Sequence, residues 1–492
     1  MITRRDFFKK GGMAATVLIV ADKLHADPYQ PIDLPESKFK PVRISGAVKS
    51  NGKGISNVAV TDGLSVVKTK SDGSFEMLSN TMQRFVYITI PSGYQIPKSK
   101  TGTALFYREI KPDKLNEMNA VFELSKTEND VNHKFLVMAD PQTQDNEDVN
   151  LLHTVAQPDL VKTCKKFSDE PVFGLANGDI MFDRLEYYPD YLKTVKAMGI
   201  PCFQVLGNHD VEVEAKTDET SVGTFQDYFG PAYYSFNKGD VHYVVLDDIF
   251  WFGGYIGYLD QKQLDWLKQD LAFVEKGKTV VVFCHIPVLC SQHIRYEQER
   301  PRDSVVIVNR ELLYKILEPY KSYVISGHTH ESDYLREGGS EIHVCGALCG
   351  AWWTGPICFD GTPMGYSIYT VKGSELTWQY KSTGKEIDHQ MRVYNPFKNN
   401  GELIANVYSA NDKWKVFWYE DGMKKGLMNN KVMNDPLSVK LHEGDKLPKK
   451  RPWVNPVKNN HMFTASPSKG IKEIVVEAID DWGRIYKETI TL

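Results

Sequence analysis

The stretch FQVLGNHD, residues 203–210, joins a short apolar run to four polar residues. A run of this kind is typical of a buried strand, and the residues Gly207 to Asp210 would lie at the carboxyl end of that strand. Open α/β sheets bind their ligands at the carboxyl ends of their strands. The stretch therefore predicts an α/β core with a functional site at one edge of its sheet.

Four further apolar runs in the same part of the chain end in similar residues. Helix-period segments separate these runs, which indicates that strands and helices alternate. One histidine after a strand is more often a turn residue than a metal ligand, but five groups in one domain favour a metal site. The other four groups are Asp140-Pro141-Gln142 after the run 135–138, Gly178-Asp179 after 172–175, Cys284-His285 after 280–283, and Gly327-His328-Thr329-His330 after 323–325.

The side chains of these groups suit two cations that are held close together. Such a pair needs several oxygen and imidazole ligands and one carboxylate that bridges the two ions. The candidate ligands include no thiolate, which argues against a structural zinc cluster. The candidate metal ligands are Asp140, Gln142, Asp179, Asn208, His285, His328 and His330.

This ordered set resembles the calcineurin-like metallophosphoesterase superfamily, over a predicted domain at residues 132–385. The resemblance implies two divalent metal ions, of manganese, iron, zinc or magnesium, and hydrolysis of a phosphate ester by a hydroxide that bridges them. It implies that Asp179 is the bridging ligand. By the same resemblance, Asp140, Asp179 and His330 hold one metal, and Asp179, Asn208, His285 and His328 hold the other.

Gln142 departs from the superfamily pattern, in which the opening motif is Asp-x-His. A carboxamide oxygen is a harder and weaker ligand than an imidazole nitrogen. Gln142 therefore binds loosely, binds through water, or favours manganese or magnesium over zinc. The Asp-Pro-Gln opening itself resembles a branch of the superfamily that contains a cytosolic phosphatase, so the exchange is compatible with an active enzyme.

Two residues beside Asn208 are the candidate catalytic residues. His209 resembles the superfamily histidine that stabilises the phosphoryl oxygens or protonates the leaving group. Asp210 either orients the His209 ring or caps a helix. For Asp183 there are two interpretations. It hydrogen-bonds to Asn208 or His209 and positions that side chain, or it caps a helix at the surface.

Substrate contacts are predicted just outside the ligand groups. Trp352 and Trp353 either stack on a base or sugar or fill a hydrophobic plug between domains. Arg184 either meets a phosphate or forms an ordinary salt bridge. The insertion 286–303 is either a lid that offers cations to a phosphate or a solvated loop, and its candidate side chains are His293, Arg295, Tyr296 and Arg300.

On both sides of the α/β domain, the sequence is rich in turn residues and has short stretches in which apolar and polar residues alternate, as in strands. Residues 39–124 predict a β-sandwich, and the pattern at 54–58 and 71–75 resembles transthyretin-like or carboxypeptidase-regulatory-like modules. Residues 393–492 predict a second β-sandwich. Because later strands of the central domain lack intervening helices, we expect an α/β class: a two-sheet α/β/β/α sandwich with an all-β sandwich at each end.

The first 26 residues predict an export signal. MITRRDFFKK at residues 1–10 precedes a short apolar run and resembles a bacterial twin-arginine signal. We therefore expect a protein exported to the periplasm or cell surface of a bacterium. No later run is long enough to span a membrane, and seven cysteines, an odd number, leave at least one thiol free.

Composition narrows the possible partners. The formal charge is −4, with 59 basic and 63 acidic residues interspersed, so no basic stripe for a nucleic-acid polymer is evident. A small phosphate monoester or diester is the expected substrate, and the oligomeric state stays open. The alternatives are hydrolysis of a pyrophosphate bond in a nucleotide-sugar or lipid diphosphate, and a non-catalytic surface protein that binds glycan or peptide.

Overall fold

The computed structural model describes residues 39–443 and 450–492, so the predicted export signal lies outside the described residues. The chain from Pro41 begins with two four-stranded sheets that share one core. Strand β1 pairs with β2, β5 and β8, and the second sheet has the order β4-β3-β6-β7. The strands are β1 Pro41–Ser50, β2 Lys53–Gly54, β3 Ala59–Thr61, β4 Val66–Lys68, β5 Ser74–Asn80, β6 Phe85–Ile88, β7 Tyr107–Glu109 and β8 Glu117–Glu123.

The turn between β1 and β2 shows why the predicted strands end where they do. Asn51 and Gly52 both adopt a positive φ, of 50° and 75°. Such a turn matches the twist of a two-residue hairpin, and Asn-Gly is the sequence that forms it most readily. The turn signals of this segment therefore mark true strand ends.

The central part of the chain contains two mixed sheets. The strands are β9 Asn132–Met138, β10 Val172–Asn177, β11 Cys202–Val205, β12 Tyr234–Lys238, β13 Val241–Val245, β14 Ile249–Trp251, β15 Tyr255–Gly257, β16 Thr279–Phe283, β17 Lys321–Ser326, β18 Asp333–Glu337, β19 Ser340–Val344, β20 Gly365–Lys372 and β21 Glu375–Ser382. The first sheet has the order β11-β10-β9-β20-β21, and the second has the order β12-β13-β16-β17-β19-β18. Strands β14 and β15 form a separate hairpin.

The ligand-bearing strands of each sheet run in parallel. Strands β9, β10 and β11 are parallel in the first sheet, where β20 joins β9 in the antiparallel direction. Strands β13, β16, β17 and β19 are parallel in the second sheet, and the antiparallel strands β12 and β18 form its edges. The carboxyl ends of the ligand-bearing strands can therefore meet at one end of the sandwich.

Helices cover both outer faces of this sandwich. The helices are α1 Asn146–Leu151, α2 Gln157–Lys166, α3 Tyr188–Met198, α4 Asp218–Ser221, α5 Gly223–Phe229, α6 Gln261–Leu271, α7 Gln292–Arg295 and α8 Arg310–Leu317, with a π-helical turn at Leu152–Ala156 and a 3₁₀ turn at Leu185–Tyr187. Local signals set their ends. The Asp145 side chain accepts the N–H groups of Glu147 and Asp148 at the start of α1, and Gly199, with φ 76°, ends α3.

Three apolar clusters give the order of the layers. Between the sheets, Phe135 and Phe173 pack with Tyr243 and Phe283 from the opposite sheet. Residues of α2 and α3 pack on the outer face of the first sheet, and residues of α6 and α8 pack on the outer face of the second. This confirms the predicted two-sheet α/β/β/α sandwich.

A second β-sandwich follows the central sheets. Its two sheets have the orders β22-β23-β29-β26 and β25-β24-β30-β31, and they enclose a separate core. The strands are β22 Met391–Tyr394, β23 Leu403–Val407, β24 Lys415–Glu420, β25 Met423–Leu427, β26 Asn429–Asn430, β27 Met433–Asn434, β28 Lys458–Asn459, β29 Met462–Ala465, β30 Glu473–Ile479 and β31 Ile485–Thr491, with a 3₁₀ turn at Pro396–Lys398 and helix α9 at Pro436–His442. Both predicted flanking sandwiches are therefore present.

Two further sequence expectations concern helices and cysteines. Among the described residues, no helix has the length and apolar character required to cross a membrane. All seven cysteines lie in the described residues as buried free thiols.

Candidate metal centre

The predicted ligands meet where β9, β10, β11, β16 and β17 end. Five of the residues there adopt a positive φ: Asp140 49°, Gln142 44°, Asp179 47°, His328 71° and His330 52°. This conformation costs an L-residue other than glycine roughly 1–2 kcal/mol. Left-handed residues concentrate at functional sites, where the surrounding structure holds them in place.

Asp179, His285 and His328 form the centre of the cluster, with ligand atoms all within 4.8 Å of one another. Nε2 of His285 lies 3.2 Å from Asp179 Oδ1, 3.2 Å from Asn208 Oδ1 and 3.2 Å from His328 Nδ1. Four side chains from four different loops therefore converge on one point.

The outer nitrogens of both histidines are engaged by backbone carbonyls. Nδ1 of His285 donates to the Asn177 carbonyl at 3.0 Å, and Nε2 of His328 donates to the Ser304 carbonyl at 2.8 Å. The inner nitrogens, 3.2 Å apart, then face each other with their lone pairs, as in histidines that bind metal. A positive charge, either a proton or a metal ion, is required between them.

The electrostatics of the cluster favour such a charge. Burial alone would lower the pKa of His285, but the carboxylates of Asp179 and Asp140 outweigh it and raise the pKa to about 10. The site therefore attracts cations.

A second donor set lies beside the first. Nδ1 of His330 is 2.5 Å from the Gly350 carbonyl, while its buried Nε2 finds no hydrogen-bond partner among the described residues and lies 3.6 Å from Asp140 Oδ1. Asp140 also accepts the His328 backbone N–H at 3.1 Å. An unpartnered buried nitrogen beside a carboxylate fits a metal ligand, since leaving such an atom unpaired is costly.

The chemistry of the donors also fits a divalent ion. Asn208 directs Oδ1 at the cluster, and its buried Nδ2 has no partner among the described residues. Cys349 lies nearby, with Sγ 3.7 Å from His330 Nδ1, but burial holds the pKa of its thiol well above the usual range. The thiol is therefore neutral, and the donors are oxygen and imidazole nitrogen.

His209 is oriented by Asp183, and Asp210 does not contact its ring. Nδ1 of His209 lies 2.8 Å from Asp183 Oδ1. Burial alone would lower the pKa of His209, but the Asp179 and Asp183 carboxylates outweigh it and raise the pKa above its ordinary value. The structure thus gives the orienting position to Asp183 instead of Asp210.

Asp210 organises the loops beneath the site. Its buried carboxylate accepts the backbone N–H groups of Gly207, Ile180 and Met181, each at 3.0 Å, and the Tyr188 hydroxyl at 3.2 Å. It therefore joins the loop after β10 to the loop after β11, and the predicted role as a catalytic residue is replaced by a positioning role.

Two supporting residues were not predicted from the sequence. Asp248 accepts the backbone N–H groups of His285 and Ile286 at 2.9 and 2.7 Å. The side chain of Asn177 donates to the Cys284 and Ile325 carbonyls and joins the ends of three strands. Both are polar residues at the ends of apolar runs, which is the signal that identified the ligands themselves.

The two tryptophans and Arg184 have three different environments. Trp352 lines the cavity beside the cluster, with its ring 5.3 Å from that of His330. Trp353 is buried and donates Nε1 to the Pro141 carbonyl at 3.0 Å, so it supports the first ligand loop and does not face the cavity. Arg184 pairs with Glu186 at 2.6 Å and is absent from the lining of the cavity.

In the insertion 286–303, the two arginines that were candidates for binding phosphate form ion pairs with acidic residues. Arg295 is buried and pairs with Glu331, while Arg300 pairs with Asp303 at 3.0 Å. The cation that lines the cavity, of about 230 Å³, is Arg302, which forms no ion pair with any described residue. The sequence offered four arginines in 295–310 and no signal to choose among them.

Family models match three segments of the chain. Residues 133–332 match calcineurin-like phosphoesterase, residues 42–127 match the N terminal of calcineurin-like phosphoesterase, and residues 342–486 match its C terminal. These matches together extend over most of the chain. The chain belongs to the calcineurin-like phosphoesterase superfamily.

Relatives of this calcineurin-like protein include plant and animal phosphatases. Purple acid phosphatase 15 of Arabidopsis thaliana is 31% identical over 177 residues, which are 34% of this chain and 31% of that protein. The serine/threonine-protein phosphatase CPPED1 of Bos taurus is 30% identical over 184 residues, which are 35% of this chain and 57% of that protein. The chain thus matches about a third and just over half of the lengths of these relatives.

Solved structures of phosphatases also resemble the chain. A dimetal phosphatase from Danio rerio has 16% identity and a TM-score of 0.35, with 51% of this chain and 96% of that chain covered. A purple acid phosphatase from yellow lupin has 10% identity and a TM-score of 0.38, with 70% of this chain and 67% of that chain covered.

The resemblance of the N-terminal sandwich to transthyretin-like modules stays a prediction.

In this calcineurin-like site, Gln142 faces the predicted bridging ligand through its amide nitrogen. Nε2 of Gln142 donates to Asp179 Oδ2 at 2.9 Å, and the backbone N–H of Gln142 donates to the Asp179 carbonyl at 2.9 Å. Direct ligation through Oε1 requires the amide to turn over. In the conformer described, Gln142 orients Asp179.

Proposed function

We propose that the chain is a hydrolase of small phosphate esters, monoesters or diesters, that works with two divalent metal ions. The observation that carries this proposal is the pair of inner imidazole nitrogens of His285 and His328, 3.2 Å apart beside Asp179. Superfamily membership and the match to phosphatases support the same reaction class.

Two overlapping donor sets would hold the metals. Asp140, Asp179 and His330 would hold one ion, and Asp179 would share the second with Asn208, His285 and His328. When bound, two such ions lower the pKa of water to supply hydroxide near neutral pH and polarise the phosphoryl oxygens. The identity of the ions is open among manganese, iron, zinc and magnesium.

In this proposal, His209 protonates the leaving group and Arg302 binds the phosphoryl oxygens. The Asp179 and Asp183 carboxylates favour the protonated form of His209, and its Nε2 has no partner among the described residues. That nitrogen can donate a proton to the leaving oxygen, a step worth about 10²- to 10⁴-fold in rate. Arg302 provides an unpaired guanidinium for the phosphoryl oxygens.

The test combines metal analysis with two model substrates. Wild type, Asp179→Asn and His209→Ala are assayed for bound metal and for hydrolysis of p-nitrophenyl phosphate and bis-p-nitrophenyl phosphate. We expect about two metals and ester hydrolysis in wild type, loss of metal in Asp179→Asn, and retained metal with a rate about 10²- to 10⁴-fold lower in His209→Ala.

Other outcomes select the alternatives. Hydrolysis of a nucleotide-sugar such as UDP-glucose, without hydrolysis of either model ester, would select the pyrophosphate reaction. A wild-type protein that binds no metal and stays inert with manganese, iron, zinc and magnesium would overturn the enzymatic proposal and favour a non-catalytic binding protein.

A further inference from the structure

A row of aromatic rings extends from His209 to the protein surface. The Phe182 ring lies 4.3 Å from the His209 ring, and the Trp352 ring lies 5.7 Å from Phe182. Trp453 continues the row, 5.4 Å from Trp352 and 6.4 Å from Phe182. We call Phe182, Trp352 and Trp453 the aromatic wall.

The outer member of the wall comes from the C-terminal segment. Trp453 lies between α9 and β28, while Phe182 and Trp352 come from loops of the central domain. The Trp453 side chain is 46% exposed, although its neighbours in the wall are partly buried. A large apolar ring that stays accessible, one ring removed from His209 through Phe182, is available for a ligand.

Charged contacts fix the segment that carries Trp453. Arg451 is buried and donates to Asp148 Oδ2 at 2.7 Å, and Lys450 pairs with Asp148 at 3.1 Å. Asp148 lies in α1, directly after the first ligand loop. The backbone N–H of Val457 also donates to the Phe359 carbonyl in the cavity wall. These contacts hold the segment of Trp453 against α1 and against the cavity wall at Phe359.

Trp352 has the features of a ligand-binding residue. Its backbone is left-handed, with φ 50°, and its buried Nε1 has no hydrogen-bond partner among the described residues. Packing alone would favour an apolar residue without an unpaired donor at this place. An incoming ligand with an acceptor atom would satisfy this indole.

The cavity is polar on one side of the metal cluster and aromatic on the other. Tyr255 lies 5.9 Å from the His328 ring, and Arg302 lines the same cavity. Trp352 lies 5.3 Å from the His330 ring and, through Phe182, adjoins His209. Trp352 is the member of the wall that lines the cavity, and Phe182 and Trp453 adjoin it outside the lining. Because His209 is the proton donor of the proposed reaction, the aromatic wall begins where the leaving group departs.

We infer that the aromatic wall binds a flat ring in the leaving group of the phosphate ester, with Trp453 of the C-terminal segment as a specificity-determining residue. This inference rests on the proposed function. The Trp352 and Trp453 rings are inclined at 64° to each other, so a flat ring that stacks on the exposed face of Trp453 would meet Trp352 edge to face. Phosphate esters of arylmethyl alcohols and of nucleosides both have this chemistry.

The test compares leaving groups of similar size and reactivity that differ in flatness. Full-length wild type, Trp453→Ala and Trp453→Phe are assayed with benzyl phosphate and cyclohexylmethyl phosphate. Phe397→Ala is the matched control, because Phe397 is an exposed aromatic residue of the same terminal sandwich, 59% accessible. Adenosine 5′-monophosphate and ribose 5-phosphate form a second pair that distinguishes a nucleoside from an aryl group.

We expect Trp453→Ala to lower the ratio of kcat/KM for the flat substrate to that for the non-flat substrate by about tenfold. Trp453→Phe should retain most of this preference, and Phe397→Ala should leave it at the wild-type value. A fall of this ratio in the benzyl pair alone identifies an arylmethyl leaving group, and a fall in both pairs identifies a nucleoside.

Binding of benzylphosphonate, which is not hydrolysed, gives a second readout by calorimetry. We expect Trp453→Ala to weaken it about tenfold relative to cyclohexylmethylphosphonate. An enzyme that hydrolyses phosphate esters with unchanged ratios in Trp453→Ala overturns this inference and leaves the proposed function intact. An enzyme inert towards every ester overturns the proposed function, and equal phosphonate binding in Trp453→Ala and wild type then overturns the wall as well.

Discussion

In the proposed reaction, Asp183 would act through the protonation of His209. Its carboxylate, 2.8 Å from Nδ1, helps raise the pKa of His209. Protonated His209 is present below that pKa and is lost as the pH rises through it. Asp183→Asn removes the negative charge, lowers the pKa, and should shift the alkaline limb of the kcat profile to lower pH.

The measurement is kcat against pH for the metal-loaded enzyme. Glu186→Gln is the control, since Glu186 is an exposed acid in the same loop that pairs with Arg184. An alkaline limb that stays in place in Asp183→Asn would show that His209 does not act as the acid.

Single residues differ in how far the sequence predicts their roles. The candidate ligands were predictable because only certain side chains bind hard cations, and such side chains rarely follow five apolar runs by chance. Asp210 is adjacent in sequence to His209, and Trp352 and Trp353 both lie just after the last ligand group, so the sequence alone predicts a role in the site for each. Neighbouring residues in a loop direct their side chains apart, so Asp210 binds backbone groups and Trp353 is buried.

At the scale of elements, the loops after the strands are packed against each other without spare room. A Cβ atom on Gly207 would lie 1.9 Å from the backbone nitrogen of Asp179 and 2.4 Å from its Oδ1. Gly207→Ala must therefore displace the loop that carries Asp179. We expect loss of most bound metal and activity with the secondary structure retained.

Metal analysis and circular dichroism check this prediction, with Gly254→Ala as the control. A Cβ atom on Gly254 meets only the Phe252 side chain, at 3.7 Å, which is an ordinary contact. Wild-type metal content in Gly207→Ala would mean that the two loops move apart freely.

Strands were predictable where both faces are buried. Strands β9, β10, β16 and β17 are central and appear in the sequence as continuous apolar runs. Strands β12 and β18 are edges of the second sheet, and β14 and β15 form a two-stranded sheet of their own. Their short, mixed patterns carry too little periodicity to be recognised from sequence.

At the scale of the molecule, the central and C-terminal parts are joined by a buried ion pair. Arg451 and Asp148 are 1% and 0% exposed. Arg451→Met leaves the Asp148 carboxylate buried without its main partner, and the free energy of unfolding should fall by about 3–5 kcal/mol. Urea unfolding followed by fluorescence and by circular dichroism measures this loss.

Two further variants show whether a loss of stability in Arg451→Met comes from the buried ion pair. Lys450→Met removes a partly exposed cation and should cost about 1 kcal/mol or less. Asp148→Leu combined with Arg451→Met removes both charges and should restore part of the lost stability. If Arg451→Met costs no more than Lys450→Met, the ion pair does not hold the two parts together.

The sequence predicted the three folded regions but not how they cooperate. A β-sandwich can be predicted from local sequence, by the alternation of apolar and polar residues and by turn residues. The approach of Trp453 to Phe182 depends instead on contacts between residues far apart in the chain. Export through the twin-arginine signal stays a prediction, because residues 1–26 lie outside the described part of the structure.

The order of strands in the first sheet has a consequence for biosynthesis. Strand β9, which leads to Asp140, is paired along one edge by β20. A ribosome releases β9 to β11 long before it makes the β20–β21 hairpin. Until then, one edge of β9 keeps unpaired backbone groups of the kind that recruit other nascent chains. A chaperone that covers this edge would therefore raise the yield of protein most during synthesis of residues 139–364.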